Sequence, residues 1–419
     1  MNVHTVTKNL LRTFSSDPSS PLILRQGQIF FAQVQKIYPN QHAEIQLGSR
    51  QLIARLEAPL ESGKGYFLQV DSHEGELRLK LLGTRQQDVH LLMKQMSLPN
   101  EKGFRSLADL LMKEPLSLTR DQLYKAGQWI QAAADKELAL EVIQFIHHQN
   151  LPFKESVFQA LFNAGSKESL TQLITGLRDV LAAEKPSSAS QKIISIIDEF
   201  GVDSERHSRV AVPAALSGRE ALAKIKHSIE QMGLFSGNHN TRQQISQAET
   251  LRSLLVQYLG AKSGKSNQAA LAAEKLLHRI NGQQLLSIDT GPVQQLFFEL
   301  PVNLNGFRTD ISFLWEGKRN KKGKIDPAYC RVIFYLHLPS LKETVVDVKI
   351  QNRVTTITIF NDFPAIKALA DPLLPEIKKQ LSTLDYEISS VEFKKTLQKK
   401  EKKLPAFRVQ SYSGVDIQV

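Results

Sequence analysis

The sequence predicts a multidomain α+β protein. It reads as a small N-terminal β-barrel of the OB or SH3-like kind, an all-helical middle, and a C-terminal antiparallel sheet packed by one amphipathic helix. Three observations predict this. Apolar residues alternate with period two between Gly27 and Leu82, the period lengthens to that of a helix from Gln86, and period two returns after Gly291-Pro292. These changes give a leader and linker over 1–26, the barrel over 27–84, helices over 86–286, an α+β domain over 288–394 and a basic tail over 395–419.

In the barrel segment HAEIQL, Ala43, Ile45 and Leu47 alternate with His42, Glu44 and Gln46. Leu52, Ala54 and Leu56 share a face in QLIARL, as do Leu77, Leu79 and Leu81 in GELRLKL. GQIFFAQV and GYFLQV complete five strands, with turns at Gly48-Ser49 and Gly63–Gly65. Closing so many short strands into a ring removes their exposed edges.

The middle carries amphipathic segments over 122–133, 136–148, 154–162, 169–181, 191–200, 214–233, 247–259 and 267–280, in one lobe or two. Thr119-Arg120-Asp121-Gln122 reads as a capping box, the hydroxyl meeting the N3 amide while Gln122 reaches back. Beyond it, three faces alternate: Leu296, Phe298 and Leu300; Thr309, Ile311, Phe313 and Trp315; Cys330, Val332, Phe334 and Leu336. TVVDVKI and RVTTITIF follow, joined by a tight turn near Gln351–Asn352. In the last helix, Ile366, Leu369, Leu373, Ile377, Leu381 and Leu384 form one stripe, read as core packed on the sheet. Burying those six side chains contributes roughly 9–18 kcal/mol before entropy is charged. Pro372 and Pro375 predict a kink or second start there, with Asp371 as cap.

The 419 residues leave room for roughly two to four domains, and a hydrophobic fraction of 42% suffices for packed cores. A single cysteine, Cys330, excludes a disulfide framework and a thiolate zinc site and reads as a buried, inert thiol. The N-terminus lacks the apolar run of a secretory signal, and nowhere do about 18 apolar residues occur together, so a cytoplasmic protein is expected. The net charge of +11 admits nucleic acid, anionic lipid or an acidic partner. Much of the excess lies in runs from Lys318 and Lys394 that read first as solvated charge.

Candidate chemistry is sparse. GAKSGKS (260–266) has one residue too few between its glycines for a phosphate loop and follows a helical stripe. His147-His148 lacks the partner spacing of a metal site and reads as a solvated helix end. A nucleophile elbow of the G-x-S-x-G type is absent. No enzyme, cofactor or metal is expected. The aromatics Phe30, Phe31, Tyr38, Tyr66 and Phe67 on a small barrel suggest a platform for stacked bases, though Phe30 and Phe31 point to opposite faces and one must be core. The lysine tail lacks an apolar anchor beyond Leu397, which argues against a membrane-surface role.

From Gln294 to Phe393 the chain resembles the C-terminal domain of flagellar hook-length control proteins of the FliK type. The resemblance lies in "LHLPSLKETVVDVKIQNRVTTITIF" followed by "LADPLLPEIKKQLSTLDYEISSVEF". Lys342 stands where that family has glycine, and Asp385-Tyr386 replaces the glycine after the helix. The barrel, "RINGQQLLS" (279–287) and the closing "GVDIQV" are similar to a Bacillus branch, the YlqG-like proteins. The resemblance implies a protein-interaction role in switching type III export substrates, by binding the cytoplasmic domain of an FlhB-like export-gate protein. The residues matching the family's strand–turn–strand are Leu338, Pro339, Leu341 and Val346; the first three read equally as core and turn, and Val346 reads first as core. The competing expectation is a cytoplasmic nucleic-acid-binding protein that uses the barrel and basic loops.

Overall fold

The computed structural model describes residues 11, 24–39, 41–73, 76–84, 89–200, 218–234, 249–261, 267–287, 293–304, 307–320, 325–338 and 340–395. Contacts divide the chain into two units, Phe14–Ser166 and Met1–Thr13 with Lys167–Val419.

In the first unit the period-two stretches form β1 (Gln28–Ile37), β2 (His42–Leu47), β3 (Arg50–Leu56), β4 (Gly65–His73) and β5 (Glu76–Thr84). They close into a ring in the order β1-β2-β3-β5-β4-β1, with β3–β5 the one parallel pair among them. That parallel pair separates the ring from a simple meander and gives the strand order of an OB barrel. The inward residues, among them Phe30, Val34, Ile45, Leu56, Leu68 and Leu79, fill the interior. Each such side chain contributes about 1.5–3 kcal/mol when buried. Gly48, at φ 59°, supplies the left-handed turn between β2 and β3.

Helices follow: α1 (Val89–Met96), α2 (Lys102–Lys113), α3 (Arg120–Ala132), α4 (Lys136–His148) and α5 (Glu155–Ala164). Between α2 and α3 a two-residue strand, β6 (Leu118–Thr119), pairs with the start of β1. The expected capping box starts α3: the Gln122 amide donates to Thr119 Oγ1 at 3.3 Å and the Thr119 amide to Gln122 Oε1 at 2.9 Å. Gly127 lets α2 come close, since a Cβ there would lie 2.2 Å from the Phe104 ring. Trp129 stacks on Phe153 and Phe158 at 5.0 and 4.9 Å.

The pair His147-His148 is not a solvated helix end. His147 Nε2 accepts the Ser117 amide at 3.1 Å, and burial pulls its imidazole down to about 4. The chain after α2 returns its backbone to this helix terminus, which helical periodicity alone does not report.

In the second unit, α6 (Leu170–Ala183), α7 (Ser188–Glu199), α8 (Gly218–Met232), α9 (Leu251–Ala261) and α10 (Gln268–Leu286) precede a six-stranded sheet. Its strands are β7 (Val293–Leu304), β8 (Phe307–Arg319), β9 (Ile325–Leu338), β10 (Lys342–Gln351), β11 (Val354–Phe360) and β12 (Glu387–Lys394), in sequence order. All pairs are antiparallel except β11–β12, which the intervening helices make parallel. Asn352 and Arg353, at φ 51° and 64°, form the tight β10–β11 turn. Phe298, Leu300, Ile311 and Phe313 join residues of α6, α7, α9 and α10 in one core. Helices flank the GAKSGKS segment, and residues 262–266 lie outside the described residues.

The last helical stretch departs from expectation. It breaks into α11 (Ile366–Ala370), a 3-10 turn (Asp371–Leu373) and α12 (Leu374–Ser382). Pro372 and Pro375 break the helical hydrogen-bond ladder, as the sequence implied. Asp371 does not cap α12; the N-cap is Leu373, with no side-chain bond. The apolar stripe is not core either. Leu369, Leu373, Ile377 and Leu384 are 55%, 61%, 40% and 62% exposed, and Ile366 and Leu381 are half-buried. The broken helix packs mainly against β12, so its stripe runs past the sheet and meets no second layer among the described residues.

Candidate nucleic-acid interface

Alternation along the strands sorts the barrel's side chains by face. With Ala43, Ile45, Ala54, Leu56 and Leu79 inside, their neighbours His42, Glu44, Ile53, Arg55 and Arg78 face outward on β2, β3 and β5. Pairing register aligns them in rows. His42 lies opposite Arg55, and Arg55 opposite Arg78, which sets three basic side chains in line across three strands. Lys36, Glu44 and Ile53 form the next row. Ile53 is 63% exposed, and Tyr38 at the end of β1 is 39% exposed. The Tyr38 hydroxyl donates to Glu44 Oε2 at 2.9 Å, and that bond holds its pKa above the usual tyrosine value. Gln33, Gln46 and Gln51 make a third row, with Gln35 beside them at a bulge between Val34 and Lys36.

This wall combines guanidinium groups for phosphates, an exposed ring and an aliphatic surface for bases, and amides for base edges. The expected aromatic platform is mostly absent from it. Phe30 and Tyr66 lie in the barrel core, where the Tyr66 hydroxyl accepts the Glu61 amide at 3.0 Å. Phe67 is fully buried, edge-on to Phe31 at 5.0 Å. Tyr38 and the half-buried Phe31 remain. The basic row was missed because its members come from three strands. The signal available in the sequence was that all three occupy outward positions.

Of the residues matched to the hook-length family, Leu338 and Leu341 flank the β9–β10 turn, and Pro339 lies outside the described residues. Val346 sits within β10, opposite Phe334 on one side and Ile359 on the other. The three described residues are half-buried. Asn361, which sequence reading passed over, ties this hairpin down. Its Nδ2 reaches Leu341 O and Thr344 Oγ1, each at 2.7 Å, and its Oδ1 accepts the Phe363 amide.

Cys330 is buried, and burial raises its thiol pKa. Among the described residues no cluster of three His, Cys, Asp or Glu side chains could hold a metal, and no helix is long and apolar enough to cross a membrane.

Residues 6–80 match the TP0910 S1-like domain family. A Bacillus subtilis (strain 168) protein described as "Uncharacterized protein YlqG" is 38% identical over 130 residues, which cover 31% of this chain. The chain spans only 22% of that relative's length. No solved structure matches. The chain is therefore similar to an S1-like domain where its barrel stands, and to YlqG over under a third of its length.

Proposed function

We propose that this is a cytoplasmic, non-catalytic binding protein that holds single-stranded nucleic acid on the outer wall of β1, β2, β3 and β5. The observation that carries the reading is the His42–Arg55–Arg78 row beside exposed Tyr38 and Ile53, on a five-stranded ring that matches an S1-like family. OB-type barrels use this face for oligonucleotides, and a basic track beside stacking surface suits a strand whose bases are unpaired. The net charge of +11 favours encounter with a polyanion. The test is a titration of the full chain with a labelled single-stranded oligonucleotide over a range of salt. Each lost phosphate contact changes the log–log salt slope by about 0.7 for single strands, so Arg55→Ala with Arg78→Ala should flatten it by roughly 1.4. Wild-type protein that binds no oligonucleotide at low salt would sink the reading.

A second reading is favoured by the exposed stripe Leu369, Leu373, Ile377 and Leu384. Contiguous exposed apolar side chains mark protein-docking surfaces. The hook-length resemblance gives the partner as an FlhB-like export-gate cytoplasmic domain, with Leu338, Pro339, Leu341 and Val346 as the contact and export switching as the role. Titrating the full chain against such a domain, with Leu341→Asp as control, tests it. Absence of saturable binding up to about 1 mM removes it.

A further inference from the structure

Three glutamines on this wall hold one another in place. Gln35 Nε2 donates to Gln46 Oε1 at 2.9 Å and to Gln33 Oε1 at 3.4 Å, which uses both of its N–H groups. Gln33 Nε2 donates to Gly63 O at 2.9 Å and Gln46 Nε2 to Gly48 O at 3.1 Å, one N–H of each. Among the described residues, Gln33 and Gln46 each keep one unused N–H, and the amide between them keeps its carbonyl, Gln35 Oε1, unused. The unused N–H groups of Gln33 and Gln46 with the wholly unused carbonyl of Gln35 run donor, acceptor, donor, and the bonded carbonyls of Gln33 and Gln46 keep only a second lone pair each. Gln51, opposite Gln46, adds one donor group and one acceptor and so favours no base.

The Watson–Crick edge of uracil or thymine runs acceptor, donor, acceptor. Cytosine has the same shape and charge but runs acceptor, acceptor, donor. We propose that the Gln33–Gln35–Gln46 triad selects uracil or thymine over cytosine in a single strand lying on the barrel. The inference rests on the nucleic-acid reading above. Single-stranded bases are read on this edge, and the mutual hydrogen bonds hold the amides oriented before the ligand arrives.

The experiment compares oligouridylate with oligocytidylate of equal length on the full-length protein by fluorescence anisotropy. Wild type should favour oligouridylate by about tenfold, the ratio expected of one well-made pair of base-edge bonds. Gln35→Met removes the acceptor and keeps the side chain's bulk. Gln46→Met removes one donor and frees Gln35. Each should bring the ratio near one, with the larger loss falling on oligouridylate. A preference arising from stacking or chain flexibility would survive both substitutions and overturn the proposal. Equal binding of both oligonucleotides by wild type would overturn it too and leave nucleic-acid binding standing. Binding of neither would remove the nucleic-acid reading itself.

Discussion

Arg279 on α10 and Glu299 on β7 form an ion pair sealed from water, Nε to Oε2 at 2.9 Å and Nη2 to Oε1 at 3.2 Å, each side chain 1% exposed. Around it, α10 runs along the open edge of β7. Gln283 Oε1 accepts the Glu299 amide, and Ser287 Oγ both accepts the Phe297 amide and donates to its carbonyl. The helix thereby supplies the hydrogen bonds that an edge strand lacks. Arg279→Met leaves the buried Glu299 carboxyl without its guanidinium partner and should cost about 3–5 kcal/mol in urea unfolding, whereas Arg279→Met with Glu299→Leu should recover much of the loss. Equal losses in the two proteins would mean that an unpaired buried charge does not set the cost.

The two units should respond to pH in opposite directions. Burial pushes the Glu299 carboxyl up to about 7 from 4.5, with Arg279 opposing. The folded unit keeps a proton that the unfolded chain releases, so stability falls as pH rises between those values, by up to roughly 3 kcal/mol. Burial, and after it the neighbouring His148, takes His147 down to about 4 from 6.5. The unfolded chain takes that proton first, so the first unit loses up to about 3 kcal/mol as pH falls across that window. Unfolding curves at several pH values, followed at Trp315 for one unit and Trp129 for the other, check this. Glu299→Gln and His147→Gln should each flatten only their own unit's profile.

Asp310 caps a helix that starts about 140 residues earlier. Its carboxylate accepts the Leu170 amide at 2.7 Å and the Thr171 amide at 3.1 Å, and the Thr171 hydroxyl bonds it as well. The long separation is read directly from that contact. Asp310→Ala should cost about 1–3 kcal/mol, more than a solvent-exposed cap, because a buried amide and a half-buried one lose their acceptor. A loss under about 0.5 kcal/mol, the level of an ordinary surface change, would contradict the cap.

The exposed stripe makes a sharp contrast with core. Leu373→Asp should change the melting free energy by less than about 0.5 kcal/mol, as at other surface positions. Leu300→Ala, in the core under α6 and α10, should cost about 2–5 kcal/mol. Comparable losses at the two sites would mean that the stripe is covered in solution.

Much of this fold was legible in the residues. Alternation in HAEIQL and GELRLKL placed the strands and separated inner from outer side chains. Thr119 and Gln122 announced a helix start, and the prolines at 372 and 375 announced a break. Those signals are local, because the φ preferences, donor inventory and side-chain direction of a short segment travel with its own sequence. What the sequence left open depends on which segments meet. A helical stripe says that one face is apolar, not that a second layer arrives to cover it, and Leu369, Leu373, Ile377 and Leu384 stay exposed. His42, Arg55 and Arg78 become neighbours only when β3 pairs with β5 in parallel and with β2 antiparallel. The half-buried His147 and the Arg279–Glu299 pair likewise take their surroundings only once distant backbone closes over them. Periodicity determined the elements and their two faces, while long-range pairing decided burial, adjacency and the ionisation that follows from them.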